Sequence, residues 1–248
     1  VSSILVLGDS LTYHGPSAPL PPTDPRLYPN VCAARLAPGC TVDLLARPGW
    51  TARDAWWGLT KDPMSWGVYL PRATALVIGV GGMDHLPAAA PTWLRESVPY
   101  IRHGRVRRAT RTALLAWSPH IIRWTGGRMR QLPQAVTDRY LTRIVEAVRH
   151  LRPGLPAVLL GPSPYDARTY PADRHHESAR AAARRWALAN DVAYVDPEDL
   201  VGPSLRAGLG NPDGMHWSWE AHQAVGDALA AALHRAGWSG SIPSPGVG

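Results

Sequence analysis

Three side chains in this sequence have the types that a nucleophilic acyl-transfer centre needs: the hydroxyl of Ser10, the imidazole of His216 and the carboxylate of Asp213. A serine attacks a carbonyl only when a base takes its proton, and the base works best when a third group fixes its tautomer and stabilises its charged form. Asp213 and His216 are separated by two residues in NPDGMHWSWEAH, so both side chains can leave one loop toward a single point. Only Ser10 has then to be brought in by the fold. The competing reading makes Ser10 the cap of a following helix and His216 a surface residue, and it leaves the matching acid unexplained.

The positioning of Ser10 starts with the unbroken apolar run Ile4 to Leu7, the pattern of a strand covered on both faces, which ends at once on Gly8-Asp9-Ser10. Further strands are expected over 41–46, 74–80, 156–160 and 192–195. Helices are expected over 27–36, 93–100, 135–151, 175–188 and 219–233, with two short ones in ARDAWWGLT and MSWGVYL. Such alternation predicts an α/β fold of three layers, α/β/α, around a five-stranded parallel sheet. Ligands of open parallel sheets bind outside the carboxyl ends of the strands. That edge would carry Gly8 to Ser10, Arg47 to Gly49 and Gly79 to Asp84, with the Asp213–His216 loop returning to it. One catalytic domain is expected over 1–236. The stretch 87–133 exceeds what a crossover needs and is expected to be an inserted helical lid. The turn-rich residues 237–248 are expected to form a flexible tail.

Composition narrows the classes further. The chain is 45% hydrophobic and 18% charged, ordinary for a globular protein with a core, and carries a net charge of +7. That sign favours anionic partners in general. Much of the excess lies between Arg102 and Arg130, where eight arginines interleave with Val106, Leu114, Leu115, Trp117, Ile121 and Ile122. These residues suggest amphipathic helices that cover a pocket, rest on an anionic surface or simply face solvent. No RNP, zinc-finger or basic-zipper pattern accompanies them, so no nucleic-acid partner is expected. No metal site is expected: the adjacent histidines of DRHHE point apart on a helix. Cys32 and Cys40 either pair or remain two free thiols. The chain opens directly on its first strand and has no run of transmembrane length, so a cytoplasmic protein without stable membrane insertion is expected.

GDSL at Gly8 to Leu11, Gly49 after the second strand, Gly81-Gly82-Met83-Asp84 and DGMH at Asp213 to His216 occur in one order across residues 8–216. In these four blocks the chain resembles the SGNH (GDSL-type) hydrolases, and it lacks the G-x-S-x-G elbow of ordinary α/β-hydrolases. The resemblance implies a flavodoxin-like fold with Ser10 as nucleophile, His216 as base and Asp213 as its partner. It assigns oxyanion donors to the backbone N–H groups of Ser10 and Gly49. The family's third block carries an asparagine whose amide is a further donor; Met83 stands there and cannot donate. Either Gly82 supplies an N–H in its place or the hole has two donors, and Asp84 is expected to organise the loop.

Longer strings, GDSLTYHGP, GWTARDAWW, GGMDHLP and GNPDGMHWSWEAHQAV, resemble a divergent acyltransferase branch of that family. This implies transfer of an octanoyl group from octanoyl-coenzyme A to a sugar hydroxyl of diglucosylglycerate, a glycosylated glycerate, with no tightly bound cofactor. The acyl chain would need an apolar slot, expected from Trp56, Trp57, Trp66 and Leu86. Tyr13, Trp50 and Asp54 would face the sugars, with Asp9 beside them. Arg47, Arg53 or the 102–130 arginines would meet the carboxylate and phosphates. A plain esterase or thioesterase is the alternative, and a noncatalytic anion-binding protein the second.

Overall fold

The computed structural model describes residues 2–240. Strands β1 (Ser3–Gly8), β2 (Thr41–Ala46), β3 (Ala73–Gly79), β4 (Ala157–Leu160) and β5 (Ala193–Val195) form one parallel sheet in the order β2-β1-β3-β4-β5. The helices are α1 (Tyr28–Leu36), α2 (Ala52–Lys61), α3 (Leu70–Arg72), α4 (Thr92–Ser97), α5 (Gly104–Thr125), α6 (Gln134–Leu151), α7 (His176–Ala189), α8 (Glu198–Arg206) and α9 (Trp219–Arg235). All six residues of β1 are buried, and they alternate between two cores as the period of two requires. Leu5 and Leu7 pack with α2, α6 and α7 on one face of the sheet. Ile4 and Val6 pack with α1, α8 and α9 on the other. The strand order reverses between β1 and β3, because the chain steps from β1 to β2 and then crosses back. At such a switch point the strand ends diverge and leave a crevice.

Three elements depart from expectation. MSWGVYL forms one π-helical turn (Ser65–Tyr69) running into α3. The expected 93–100 helix is α4 followed by a 3-10 turn at Val98–Tyr100. Helix α8 was not expected; it runs through Gly202 and Pro203 and persists by burying Val201 and Leu205, four residues apart on one face.

The segment 87–133 leaves the body and returns through a short antiparallel ribbon. Ala88 N–H donates to Met129 C=O at 2.9 Å, Gln131 N–H to Leu86 C=O at 2.9 Å and Leu132 N–H to Asp84 C=O at 2.9 Å. Its main element, α5, is one continuous helix through Pro119, and Ile122 is its buried residue.

Of the expected tail, residues 241–248 lie outside the described residues, while the indole N–H of Trp238 donates to Thr74 Oγ1 at 3.2 Å. Cys32 and Cys40 are not bridged, and burial pushes the Cys32 thiol up to about 12. Among the described residues no helix is long and apolar enough to cross a membrane.

Candidate active site

β1 ends on Gly8, where the chain turns so sharply that a Cβ would stand 2.0 Å from Thr12 Cγ2. Ser10 then opens a single 3-10 turn (Ser10–Thr12) capped by Asp9, whose carboxylate accepts from Leu11 N–H at 2.9 Å. This cap fixes the backbone under Ser10 at the carboxyl edge of the central strand. Burial pushes the Asp9 carboxyl up to about 7, the Leu11 N–H opposes that rise, and the neighbouring Asp84 adds to it.

The second half of the site hangs on the loop before α9. Asn211 Oδ1 accepts from Asp213 N–H at 3.0 Å, and Asp213 Oδ1 accepts from Met215 N–H at 2.8 Å and His216 N–H at 3.1 Å. With one oxygen so held, Asp213 Oδ2 lies 2.6 Å from His216 Nδ1, and His216 Nε2 lies 2.9 Å from Ser10 Oγ. Nδ1–H therefore donates to the carboxylate, leaving Nε2 to accept from the serine hydroxyl. The next residue, Trp217, is fully buried and donates its indole N–H to Ser163 Oγ at 3.0 Å, past the end of β4. Ser218 caps α9 by accepting from Ala221 N–H at 3.2 Å.

Electrostatics agree with those roles. Burial lowers the His216 pKa below its ordinary value; Asp213 opposes the fall and His14 adds to it. Burial alone would raise Asp213, but the bonds from Met215 and His216 outweigh it and hold the carboxyl below its usual range. The His14 ring stacks on His216 with centroids 3.7 Å apart and planes 20° from parallel. His14 is itself held: its N–H donates to Ser10 C=O at 2.9 Å, and its C=O accepts from buried His222 Nε2–H at 3.1 Å. His222 Nδ1 accepts from Tyr28 N–H, so this histidine is a packed, neutral residue, pushed by burial to about 4.

Beside Ser10 and His216 opens a narrow cleft with Leu11, Met83, Leu86, Pro164, Tyr165 and Met215 as its apolar wall. Gly82 and Ser163 also line it, and the Met83 methyl lies near Gly49, 4.0 Å from where a Cβ there would stand. Asp84 sits beneath this loop. Its carboxylate accepts from Ala52 N–H at 3.1 Å and Thr137 Oγ1 at 2.8 Å, tying the β3 loop to α2 and α6. Behind the cleft, buried His85 Nε2 is 3.2 Å from His176 Nδ1, whose Nε2 is 2.8 Å from Glu198 Oε2.

Most of the residues expected to contact substrate do not line this cleft. Of Asp9, Tyr13, Trp50, Arg53, Asp54 and Trp56, the structure brings Asp9 to the cleft wall. Asp54 is consumed by the capping box of α2, accepting from Thr51 N–H at 3.0 Å and Thr51 Oγ1 at 2.6 Å. Trp50 folds back onto Gly58, and the Arg47 guanidinium stands 5.9 Å over its ring. Trp56, Trp57 and Trp66 line a separate groove against α6, where Arg143 stacks over Trp56. The physical reason is direction: a helix that follows a parallel strand runs away from the carboxyl edge, so each further turn of α2 carries its side chains away from Ser10. None of residues 87–133 lines the Ser10 cleft.

A family model described as the GDSL-like lipase/acylhydrolase family matches residues 6–224. The chain belongs to this family. The GDSL-like enzyme is 40% identical over 236 residues to a protein named diglucosylglycerate octanoyltransferase from Mycobacterium tuberculosis, an alignment covering 95% of this chain and 93% of that one. It is 42% identical over 236 residues to the protein of the same name from Mycolicibacterium hassiacum, covering 95% and 96%. Among solved structures, Est24, a carbohydrate acetylesterase from Sinorhizobium meliloti, superposes with a TM-score of 0.61 at 16% identity, covering 95% of this chain and 99% of that one. At that identity the likeness concerns the fold alone.

Ser163, Pro164 and Tyr165 were missed in the sequence. The signal was there: GPSPY follows β4 directly, and any segment leaving a central strand's carboxyl end borders the crevice.

Proposed function

We propose that this GDSL-like enzyme transfers an octanoyl group from an acyl thioester, octanoyl-coenzyme A, to a sugar hydroxyl of diglucosylglycerate through an acyl-enzyme on Ser10. The observation that carries the chemistry is the hydrogen-bonded series Ser10 Oγ, His216 Nε2 and Nδ1, Asp213 Oδ2, at 2.9 and 2.6 Å. The name shared by the two relatives supports the acyl length and the acceptor.

In this reading Ser10 Oγ attacks the thioester carbonyl as His216 Nε2 takes its proton, and the imidazolium returns that proton to the departing thiolate. A sugar hydroxyl then gives its proton to Nε2 while its oxygen attacks the ester, and Ser10 leaves with that proton. Asp213 stabilises the imidazolium in both halves. The backbone N–H groups of Ser10 and Gly49, with Gly82, would meet the oxyanion, at a typical contribution of about 3 kcal/mol for each such donor. The apolar wall of Leu11, Met83, Leu86, Tyr165 and Met215 suits the acyl chain in place of the tryptophans of α2. Acyl-coenzyme A donors put the reaction in the cytoplasm.

Incubation with octanoyl-coenzyme A, with and without diglucosylglycerate, tests the reading. Octanoylated sugar from the wild type, and none from Ser10→Ala or His216→Ala of unchanged melting temperature, is the expected result. Free octanoate released at one rate in both mixtures makes the enzyme a thioesterase, and full turnover by either variant removes the Ser10 mechanism.

A further inference from the structure

Helix α5 presents a surface that nothing in the Ser10 chemistry uses. It has 22 residues, about 33 Å at the usual rise, and lies almost wholly outside the body. Val106, Thr110, Ala113, Trp117 and Trp124 recur at spacings of four, three, four and seven, which places them on one face. That face is turned to solvent: Trp117 is 64% exposed and Trp124 88%. Trp93 at 70% and Tyr100 at 85% extend the apolar surface on the elements just before the helix.

Charge frames this stripe. Arg105, Arg107, Arg108, Arg111 and Arg123 are exposed on the same helix, and no Asp or Glu occurs from Ser97 to Thr137. At its C-terminal end Arg123, Arg128 and Arg174 surround a groove that also holds Trp124 and Met129.

We propose that α5 seats the protein on the surface of an anionic lipid bilayer. The helix lies in the plane of the headgroups, its indoles and Val106 enter the acyl boundary, and the flanking guanidiniums meet lipid phosphates. Other occupants fit less well. A second copy docked along the stripe would oppose arginine to arginine in either orientation, with no acid in the segment to relieve the repulsion. A nucleic-acid backbone would engage the arginines and leave Val106 and Ala113 without a partner. The groove at Trp124 joins three cations to an indole and a thioether, the combination that a lipid phosphate with its attached chain requires.

Co-sedimentation of the full chain with vesicles tests this. Phosphatidylcholine vesicles carrying about 30 mol% phosphatidylglycerol should bind the protein at least about tenfold better than phosphatidylcholine alone. Binding should fall several-fold between about 0.05 and about 0.5 M NaCl, as screening shortens the reach of the arginines. Removing the flanking charges one at a time by Arg105→Gln, Arg107→Gln and Arg123→Gln should cost about fivefold each. The double variant Trp117→Glu/Trp124→Glu should lose at least about tenfold while its melting temperature stays within about 2 °C, since both side chains are exposed. Absence of binding to the anionic vesicles overturns the proposal and leaves an acidic protein surface as occupant. Retention of binding by the double variant overturns it too, as does a wild-type dimer that the same substitutions convert to monomer in sedimentation velocity.

Discussion

Gly214 stands between Asp213 and the His216 loop, and replacing it with alanine should separate stability from turnover. Its φ is +72°, in the left-handed region, and a Cβ there would lie 1.9 Å from Asp166 C=O, against a real lower limit of 3.0 Å. The two strands of loop must therefore part by about 1 Å, which breaks the 2.8 Å bond from Asp166 N–H to Gly214 C=O. The left-handed backbone costs about 1–2 kcal/mol and the lost bond about 0.5–1.5 kcal/mol, together about 1.5–3.5 kcal/mol. For a chain of this size that lowers Tm by about 3–14 °C. A displacement of about 1 Å in the loop that aims His216 should reduce kcat/KM for octanoyl-coenzyme A about 100-fold at 25 °C, well below Tm. Gly208 supplies the control: its φ is +70° with nothing within 4 Å of a Cβ. Gly208→Ala should lower Tm by about 2–8 °C through the backbone term alone and keep kcat/KM within about twofold. Gly214→Ala with wild-type kcat/KM, or Gly208→Ala with an equal loss, would refute the claim that the Asp166 contact holds the base in place.

Three further outcomes depend on pH. His216 must be neutral to accept a proton and burial lowers its pKa, so kcat/KM should rise with pH through a midpoint below about 6.5. His14→Phe keeps a stacked ring but removes the neighbouring imidazole that pushes His216 down; the midpoint should move up, and a midpoint that stays put or falls contradicts the stack's electrostatic role. Asp9 is pushed up to about 7 in the folded protein, mainly by burial, against an ordinary value of 3.8. Its contribution to stability is thus complete below about pH 4 and is lost as pH rises through about 7. Asp9→Asn keeps an oxygen for Leu11 N–H, so it should be more stable than the wild type at pH 8, by at most about 4 kcal/mol and with a higher Tm, and should converge with it near pH 4. Equal melting curves at pH 8 would show that the carboxyl is not desolvated.

The sheet was legible because its inner strands β1, β3 and β4 are buried on both faces and therefore spell themselves as apolar runs, while the half-exposed edge strands still show short ones: β1 contains the run Ile4 to Leu7, β2 begins and ends where expected, and β3 to β5 agree within a residue. The Asp213–His216 pair was legible because the two residues meet within one loop. The cleft beside Ser10 was not. Its wall is assembled from Leu11, Leu86, Tyr165 and Met215, each apolar and each on a different loop, with no mutual spacing to betray them. The aromatic cluster of ARDAWW was conspicuous in sequence and drew the expected acyl slot to α2, whereas the structure packs these large side chains toward α6 and away from the cleft beside Ser10.

The approach of His216 to Ser10 has a cause that strand alternation does not supply. After β5 the chain makes two helices in succession, α8 and α9, with no strand between them to fix the direction of the second. A loop between two helices is free to lie anywhere on that face. What removes the freedom is Trp217, the residue next to the base: it is buried to 1%, and its one polar atom must find a partner there. Ser163, just past β4, is that partner, so the indole pins the loop to the carboxyl edge. With Trp217 buried and bonded to Ser163, His216 faces the crevice, its Nε2 2.9 Å from Ser10 Oγ. The imidazole thus reaches the serine because its neighbour is too large and too nearly apolar to sit anywhere but the core.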